Sequence, residues 1–424
     1  MKNFKESGIE WLGEIPEHWE VVKINKIVTF VNGYAFENFD FNPIFEIPVI
    51  RIGDMQKEKI LYDNCLKTKE KEKLKQFLIS NNDILIALSG ATTGKIAFCD
   101  TDNKAYINQR VAIVRSKLKL VKYYFLTRGF SLLIELACNG SAQPNISTKE
   151  IGEFKIPLPP LKEQEQIANF LDEKCKKIAN FIEKKEKLIT LLKEQKQALI
   201  NETITKGLDK NINFKDSGIE WLGEIPQHWK LVRLGLILKT SSGTTPDSGN
   251  DKYYKGGQIV WINSGDLNDG FLKDSKRKIT QDALDDYSVL KIFDKDSLIV
   301  AMYGATIGKT AILKVNACVN QACCVLEKSA WYNTFYLFYL FNRYKKELIS
   351  MGSGGGQPNI SQDIIKNIKI PLPPLKEQEQ IANFLDEKCK KIDLLIEKTE
   401  KQIKLIKEYK ITLTNQAVCG RINL

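Results

Sequence analysis

Two glycine turns that end in lysine are the segments whose spacing comes nearest to a site for chemistry. Residues 90–95 and 304–309 read Gly-Ala-Thr-Thr-Gly-Lys and Gly-Ala-Thr-Ile-Gly-Lys. A phosphate-binding loop has four residues between its glycines and Ser or Thr after the lysine. Here three residues separate the glycines, and Ile96 follows the first lysine. Nucleotide hydrolysis through Lys95 or Lys309 is therefore disfavoured. The plain structural alternative is a tight glycine turn with an exposed lysine, which also suits a contact with a DNA phosphate.

Short runs of amide side chains form a second kind of candidate. Gln143-Pro-Asn145 and Gln357-Pro-Asn359 follow runs of small residues, which let a ligand approach the backbone closely. Gln and Asn can form bidentate hydrogen bonds with adenine. A loop turn that leads into the next strand explains the same residues equally well. Gln109, after Asn108, is likewise either a DNA contact or a buried turn residue.

Residue counts disfavour several classes of enzyme. The only histidines are His18 and His228, too few for a His-rich metal site or for several acid–base centres. The nine cysteines contain no Cys-x-x-Cys pair, which argues against zinc and disulfides and for a reducing cytosol. An adenine methyltransferase would need an Asn/Asp-Pro-Pro-aromatic loop, and the nearest segment, residues 42–45, lacks the second proline. No catalytic set and no metal site are expected in this chain.

The chain contains the same sequence plan twice. Residues 3–19 return as 213–229 with two substitutions, and residues 155–178 return unchanged as 369–392. Between these blocks the halves share only short segments, among them the glycine turns, Asn-Gln and Gln-Pro-Asn-Ile-Ser. A long repeat determines the architecture before any local pattern does. We predict a first globular domain at 1–156, a conserved helical region at 157–206, a second domain at 207–370 and a second helical region at 371–424.

The conserved regions are predicted to be long helices. After the prolines at 157, 159 and 160, residues 161 to about 206 contain neither Pro nor Gly. Apolar residues alternate at spacings near three and four, namely Ile167, Leu171, Ile178, Phe181 or Ile182, Leu188, Leu192 and Leu199, then Ile381, Leu385, Ile392, Leu395, Ile403, Ile406 and Leu413. A polar helix of about 60 Å, ~40 residues at 1.5 Å each, needs a partner. An intramolecular antiparallel coiled coil is therefore favoured.

The globular domains are predicted to be α+β. Apolar or alternating runs at 47–52, 83–88, 111–114, 259–262, 298–301 and 323–326 indicate strands. Apolar segments at 123–137 and 331–349 indicate helices. The fold class is therefore two α+β domains in tandem, each followed by a long helix.

Charge and sequence divergence together point to DNA. The net charge is +11, and it is spread almost equally over the two halves of the chain. Residues kept in both halves can supply architecture or phosphate contacts, whereas different base preferences must come from residues that differ. The candidate DNA-contacting residues are Lys95, Gln109, Arg110, Gln143, Asn145 and Arg51 in the first domain and Lys309, Gln321, Gln357, Asn359, Tyr253, Tyr254, Lys255 and Arg277 in the second. The chain shows neither a signal peptide nor a membrane span, so we expect a cytoplasmic protein.

These motifs together resemble the specificity subunit of type I restriction-modification systems. The resemblance rests on SGIEWLGEIPEHW and SGIEWLGEIPQHW, on the paired glycine turns, on QPNIS, and on the duplicated PLPPLKEQEQIANFLDEKCKKI. It implies two target-recognition domains that each bind one half of a split sequence of double-stranded DNA. It also implies that the conserved helices form an antiparallel coiled coil, whose length would set the spacer between the half-sites.

The resemblance further implies a noncatalytic subunit of a larger enzyme. Two modification subunits would supply adenine methylation with S-adenosylmethionine, and restriction subunits would supply translocation and cleavage with ATP and Mg²⁺. This chain itself would bind no cofactor. The alternatives are a methylation-only complex, a coiled-coil scaffold without a DNA role, and a nucleotide hydrolase.

Overall fold

The computed structural model describes residues 3–9, 11–56, 58–99, 102–138, 144–220, 222–352 and 359–422. The chain divides into two compact units, one formed by residues 1–185 with 401–424 and the other by residues 186–400. Each unit thus contains one globular domain and a segment of each of two long helices.

In the first unit a four-stranded antiparallel sheet carries the core. Its strands lie in the order Ile96–Phe98, Ile84–Ala87, Val111–Arg115 and Thr29–Asn32. A second sheet places Ile47–Ile50 between Tyr106–Ile107, its parallel neighbour, and the antiparallel strand Leu66–Thr68. The smaller elements are the hairpin Met55–Gln56 with Lys59–Ile60 and the helices Val121–Tyr124, Arg128–Ala137 and Thr148–Glu153. The strand Ile84–Ala87 is buried on both faces, as its unbroken apolar sequence predicts.

The second unit has a corresponding pair of sheets. The larger sheet has the order Thr240–Ser241, Cys323–Leu326, Leu298–Ala301, Thr310–Leu313 and Gly270–Leu272. In the smaller sheet Ile259–Ile262 lies between Lys278–Ile279 and Cys318–Val319. The helices before the conserved region are Leu234–Ile237, Gln281–Asp286, Thr334–Ser350 and Gln362–Asn367. The described residues therefore mix helix and strand in both units, and the α+β prediction is confirmed.

The strand that enters each domain pairs with the strand that leaves it. Glu20–Lys23 pairs with Lys155–Leu158, and Lys230–Arg233 pairs with Lys369–Leu372, both antiparallel. Each entry strand follows a hairpin, Phe4–Glu6 with Glu14–Pro16 and Phe214–Asp216 with Glu224–Pro226. This pairing closes the domain at the residue where the long helix is about to begin.

The long helices run over Leu161–Lys206 and Leu375–Val418. In each helix one continuous row of buried and half-buried positions follows a spacing of three and four, at 164, 167, 171, 175, 178, 182, 185, 189, 192, 196, 199 and 203 and at 378, 381, 385, 389, 392, 396, 399, 403, 406, 410, 413 and 417. Leu188 and Leu395 were predicted to lie in this row, and that prediction is wrong because their side chains are 39% and 51% exposed. Ile189 and Ile396 take those places.

Within each unit, the beginning of one long helix lies with the end of the other. Ile167 and Leu413 belong to one hydrophobic core in the first unit, and Ile204 and Ile381 belong to one core in the second. In the second unit the Nζ atom of Lys196 also lies 2.7 Å from each carboxylate oxygen of Asp393. These contacts are those of antiparallel helices, and interlocking coiled-coil packing stays a prediction.

Two predicted helices have different bounds. The helix predicted at 123–137 is two helices, because the side chain of Thr127 accepts a hydrogen bond from the N–H of Phe130 at 3.1 Å and begins a new helix. The helix predicted from 331 begins at Thr334, where Asn333 caps its first turn. Among the described residues, no helix is both long enough and apolar enough to cross a membrane.

Candidate nucleic-acid interface

The short segments shared by both halves meet in the first domain. Leu88 donates its N–H to the carbonyl oxygen of Arg110 and accepts the N–H of Ile146, both at 2.9 Å. Gly90 donates its N–H to the carbonyl oxygen of Pro144, also at 2.9 Å. Backbone hydrogen bonds thus join the glycine turn, the Asn-Gln segment and the Pro-Asn-Ile-Ser segment. Together they line a cleft of about 1140 Å³.

The second domain repeats this frame. Met302 donates its N–H to the carbonyl oxygen of Ala322 and accepts the N–H of Ile360, again at 2.9 Å. Tyr303 pairs with Asn359 as an antiparallel bridge, just as Ser89 pairs with Asn145 in the first domain. One backbone arrangement has therefore been built twice from the shared segments.

The glycines of the two turns serve the turn geometry. Gly90 and Gly94 both have φ of +82°, a conformation that residues with a side chain rarely adopt. Gly94 donates its N–H to the carbonyl oxygen of Ala87 at 2.8 Å, and a Cβ atom at Gly94 would lie 2.8 Å from Ile134. Gly308 has φ of +74° and makes the equivalent hydrogen bond with Ala301. These constraints account for the sequence pattern without a bound phosphate.

The cleft brings together three of the predicted site residues of the first domain. Gln109, Arg110 and Asn145 line it and are exposed. In the second domain the equivalent Gln321 and Asn359 are also exposed. Lys95 and Lys309, at the ends of the glycine turns, are half-buried. Two predicted residues, Gln143 and Gln357, lie outside the described part of the chain.

The side chains on this common frame differ between the domains. Arg110 and Ser89 of the first domain correspond to Ala322 and Tyr303 of the second. The side-chain oxygen of Gln321 accepts a hydrogen bond from Thr245 at 2.7 Å, which holds the amide in place. The frame is therefore shared, and the chemistry of the groups that it presents is not.

Arg51 is engaged inside the first domain. Its guanidinium donates to the two carboxylate oxygens of Asp54 at 3.0 and 3.2 Å and to the carbonyl oxygen of Asn64 at 3.2 Å. The hydrogen bond with Asp54 raises the pKa of Arg51 above its usual value. These contacts support a role for Arg51 in fixing the turn after the strand Ile47–Ile50.

The other predicted residues of the second domain form an aromatic and basic group. The guanidinium of Arg277 lies over the ring of Tyr254, 4.9 Å from its centre, and the Tyr254 hydroxyl donates to the carbonyl oxygen of Pro246 at 2.6 Å. Burial raises the pKa of Tyr254. The Tyr253 hydroxyl lies 3.2 Å from a carboxylate oxygen of Asp286, whereas Lys255 is exposed.

A joint between each domain and its helix was missed by the sequence analysis. Glu163, in the first turn of the helix Leu161–Lys206, accepts the indole N–H of Trp19 at 3.0 Å and lies 2.6 Å from Nε2 of His18. The repeat of this joint has Glu377 at 3.0 Å from the indole nitrogen of Trp229 and 2.8 Å from Nε2 of His228. The duplicated His-Trp pair and the duplicated glutamate were the available signal.

A basic edge in the first domain was also missed. Lysine occupies every second position from 67 to 75, and the segment includes the edge strand Leu66–Thr68. The neighbouring loop carries Phe39 and Ile44, which are 79% and 81% exposed. The described residues contain no group of three or more His, Cys, Asp and Glu side chains that could hold a metal ion.

Comparison with known proteins places this geometry in a family. The model of the type I restriction modification DNA specificity domain matches residues 16–202 and 226–405. A putative type I restriction enzyme MjaX specificity subunit from Methanocaldococcus jannaschii is 29% identical, over 100% of this chain and 97% of the relative. The EcoBI specificity subunit from Escherichia coli is 23% identical, over 91% of this chain and 82% of the relative.

Solved structures share the fold. A chain solved in a study of complex assembly and conformational transition of the type I R-M system has a TM-score of 0.74 at 17% identity, over 96% of this chain and 99% of that chain. The HsdS subunit from Thermoanaerobacter tengcongensis has a TM-score of 0.55 at 17% identity, over 96% and 98%. The repeated domain, the repeated backbone frame and the matches over both halves lead to one conclusion: the chain belongs to the family of type I restriction-modification DNA specificity subunits.

Proposed function

We propose that each domain of this specificity subunit binds one half of a bipartite DNA target, the first through its cleft and the second through the equivalent backbone frame. In the first domain Gln109, Arg110 and Asn145 are the base-contacting candidates, and in the second Gln321 and Asn359 have the equivalent places. Amide and guanidinium groups suit this task because they form bidentate hydrogen bonds with base edges in the major groove.

The observation that carries the proposal is the common frame with different side chains. The hydrogen bonds around Leu88 and Met302 match one for one, yet Arg110 on the frame of the first domain is replaced by Ala322 on the frame of the second. A protein that reads two different half-sites needs the same positioning twice and different base contacts. The equal spread of positive charge over both halves fits two separate grips on one duplex.

The long helices have two proposed roles. As an antiparallel coiled coil they would set the spacer between the half-sites. Their duplicated sequence would offer two equivalent surfaces, one for each of two modification subunits. The identity of residues 155–178 and 369–392 supports this pairing, because equivalent partners need equivalent surfaces.

Chemistry would come from the partner subunits. We assign adenine methylation with S-adenosylmethionine to the modification subunits, and translocation and cleavage with ATP and Mg²⁺ to the restriction subunits. The specificity subunit itself would be noncatalytic and would hold double-stranded DNA where those subunits act on it.

Methylome sequencing of cells that express the chain with its modification subunits tests the proposal. Arg110→Ala is expected to relax one position of one half-site, because loss of a bidentate base contact costs about 1–3 kcal/mol. Gln321→Ala is expected to affect only the other half-site. Arg128→Ala is the matched control, since Arg128 is an exposed arginine of the first unit that pairs with Glu135 at 2.6 Å. Unchanged half-sites in both Arg110→Ala and Gln321→Ala would refute the proposal that these two residues contact bases.

A further inference from the structure

Each domain has a loop at an equivalent place, beside an edge strand. The loop follows a glycine that lies very close to a neighbouring backbone: a Cβ on Gly33 would lie 2.1 Å from the carbonyl oxygen of Asn108, and one on Gly243 would lie 1.8 Å from that of Val319. The chain then makes a loop and returns as the central strand of the three-stranded sheet, Ile47–Ile50 in the first domain. The loops are therefore residues 34–46 and 244–258.

The equivalence extends to the side chains that cover the loops. In the second domain Arg277, beside the edge strand Lys278–Ile279, lies over Tyr254 of the loop. In the first domain Lys69, beside the edge strand Leu66–Thr68, lies over Phe45 of the loop, with Nζ 5.0 Å from the ring centre. Tyr253, Tyr254 and Lys255 of the second loop are predicted DNA contacts, whereas no residue of the first loop is.

The loop of the first domain is held firmly while two apolar side chains project from it. Asp40 accepts a hydrogen bond from Lys71 at 2.7 Å, and the N–H of Asn42 donates to the carbonyl oxygen of Lys67 at 3.0 Å. Below them Phe36 packs against Phe41, with ring centres 5.9 Å apart.

Fixed in this way, Phe39 and Ile44 expose 79% and 81% of their surface. Two large apolar side chains with this exposure, on a loop that hydrogen bonds hold in place, are candidates for contact with a partner.

The segment that holds this loop in place carries exposed lysines. Lys67, Lys69 and Lys73 are exposed, and none of them forms an ion pair within the described part of the chain. The acidic side chains of the same segments are mostly occupied, namely Asp40 with Lys71, Glu70 with Lys104, Glu72 with Lys75, and Glu37 as the cap of the turn at Asn38–Asp40. The cap leaves the charge of Glu37 in place, so Glu37 and Glu46 stand against the three lysines. The positive part of the surface is the segment 66–75, which carries five lysines against two glutamates and complements a polyanion.

We propose that this surface, made of Phe39, Ile44, Lys67, Lys69 and Lys73, is a second DNA contact of the first domain. It rests on the proposed function and adds to it a contact outside the base-reading cleft. The lysines neutralise backbone phosphates of the duplex. Phe39 and Ile44 make apolar contact with a groove, as side chains of these types do in proteins that press against base pairs.

Salt dependence of binding tests the lysines. The chain in complex with its modification subunits is titrated with a duplex that carries the methylome-mapped target and with an unrelated duplex of equal length. In Lys67→Ala/Lys69→Ala/Lys73→Ala, loss of three phosphate contacts lowers the slope of log K against log salt by about 2.7. Between 50 and 200 mM salt the variant then loses roughly 40-fold less affinity than the native chain. The matched control with three arginines keeps the native slope.

The apolar side chains have their own test. Phe39→Ala/Ile44→Ala lowers affinity by about tenfold or more, because the variant loses apolar surface that the DNA covers in the native complex, and it leaves the salt slope unchanged. Val289→Ala, an exposed apolar side chain of the second domain, is the control and keeps native affinity.

Two results overturn the inference. One is a native slope of log K against log salt in the variant with three alanines. The other is loss of the modification subunits from Phe39→Ala/Ile44→Ala on gel filtration, which would show that the surface binds a protein. Failure of the native complex to prefer its target duplex would instead refute the proposed function.

Discussion

Removal of the glutamate at each domain-helix joint gives a prediction whose size follows from the geometry. Trp19 is 1% exposed and its indole N–H donates to Glu163 at 3.0 Å. A hydrogen bond to a charged group contributes about 1.5–3 kcal/mol, and without it the indole N–H would stay buried and unpaired. The contact with the half-exposed His18 adds about 0–1 kcal/mol, because water screens it. Glu163→Ala should therefore destabilise the first unit by about 2–3 kcal/mol.

Hydrogen–deuterium exchange read by mass spectrometry measures each unit separately. A loss of 2–3 kcal/mol corresponds to roughly 30- to 150-fold faster exchange through opening of the strand Glu20–Lys23 and the start of its helix. Glu377→Ala should have the same effect in the second unit, since the Trp229 contact is also 3.0 Å long. Glu163→Gln keeps an oxygen acceptor and should lose less than half as much stability. Equal effects of the Ala and Gln variants, or a change below twofold, would refute the reasoning.

Three other perturbations have expected outcomes. Gly33→Ala and Gly243→Ala should each lower the free energy of unfolding by about 1–3 kcal/mol, seen as a lower urea midpoint, because the new Cβ would overlap a carbonyl oxygen. The control is Gly53→Ala, where a Cβ meets nothing within 4 Å and the midpoint should stay near native. The hydrogen bond from Lys71 lowers the pKa of Asp40 in the folded chain. The ionised Asp40 therefore stabilises the fold fully above its pKa in the unfolded chain, about 3.9, and this stabilisation is lost as the pH falls through its pKa in the folded chain. The stability difference between the native chain and Asp40→Asn should accordingly be constant above about pH 5 and shrink below about pH 4, measured by urea unfolding across pH; a difference that persists in acid would contradict it. Insertion of one heptad into each long helix should lengthen the unread spacer by about 10 Å, or ~3 base pairs, and leave both half-sites unchanged in the methylome; altered half-sites would speak against a spacer set by the helices.

Elements with a strong sequence pattern were predicted well. The strands Ile259–Ile262, Leu298–Ala301 and Cys323–Leu326 and the helix Leu161–Lys206 have the predicted bounds, because a buried apolar run or a long stretch without Pro and Gly leaves few alternatives. The break at Thr127 was not predictable from apolar content, since one side-chain hydrogen bond creates it. Leu188 and Leu395 were misplaced because each adjoins an isoleucine, and apolar spacing alone does not decide which neighbour is buried.

The candidate site was predictable in its parts and not in its assembly. The repeat identified the glycine turn and the Asn-Gln and Pro-Asn segments as shared. Their union depends on hydrogen bonds between Leu88, Arg110 and Ile146, which are far apart in the sequence. The exposure of Phe39 and Ile44 depends on the same kind of long-range packing. The alternating lysines from 67 to 75 were the only signal in the sequence for the basic edge beside them.

Exchange of one domain tests the central claim most directly. Residues 20–154 are replaced by the corresponding residues of another family member, and the methylome of cells expressing the hybrid with its modification subunits is sequenced. We expect one half-site to change to that of the donor, while the other half-site and the spacer stay as they were. A change in both half-sites, or in neither, would contradict the claim that each domain reads its own half of the target.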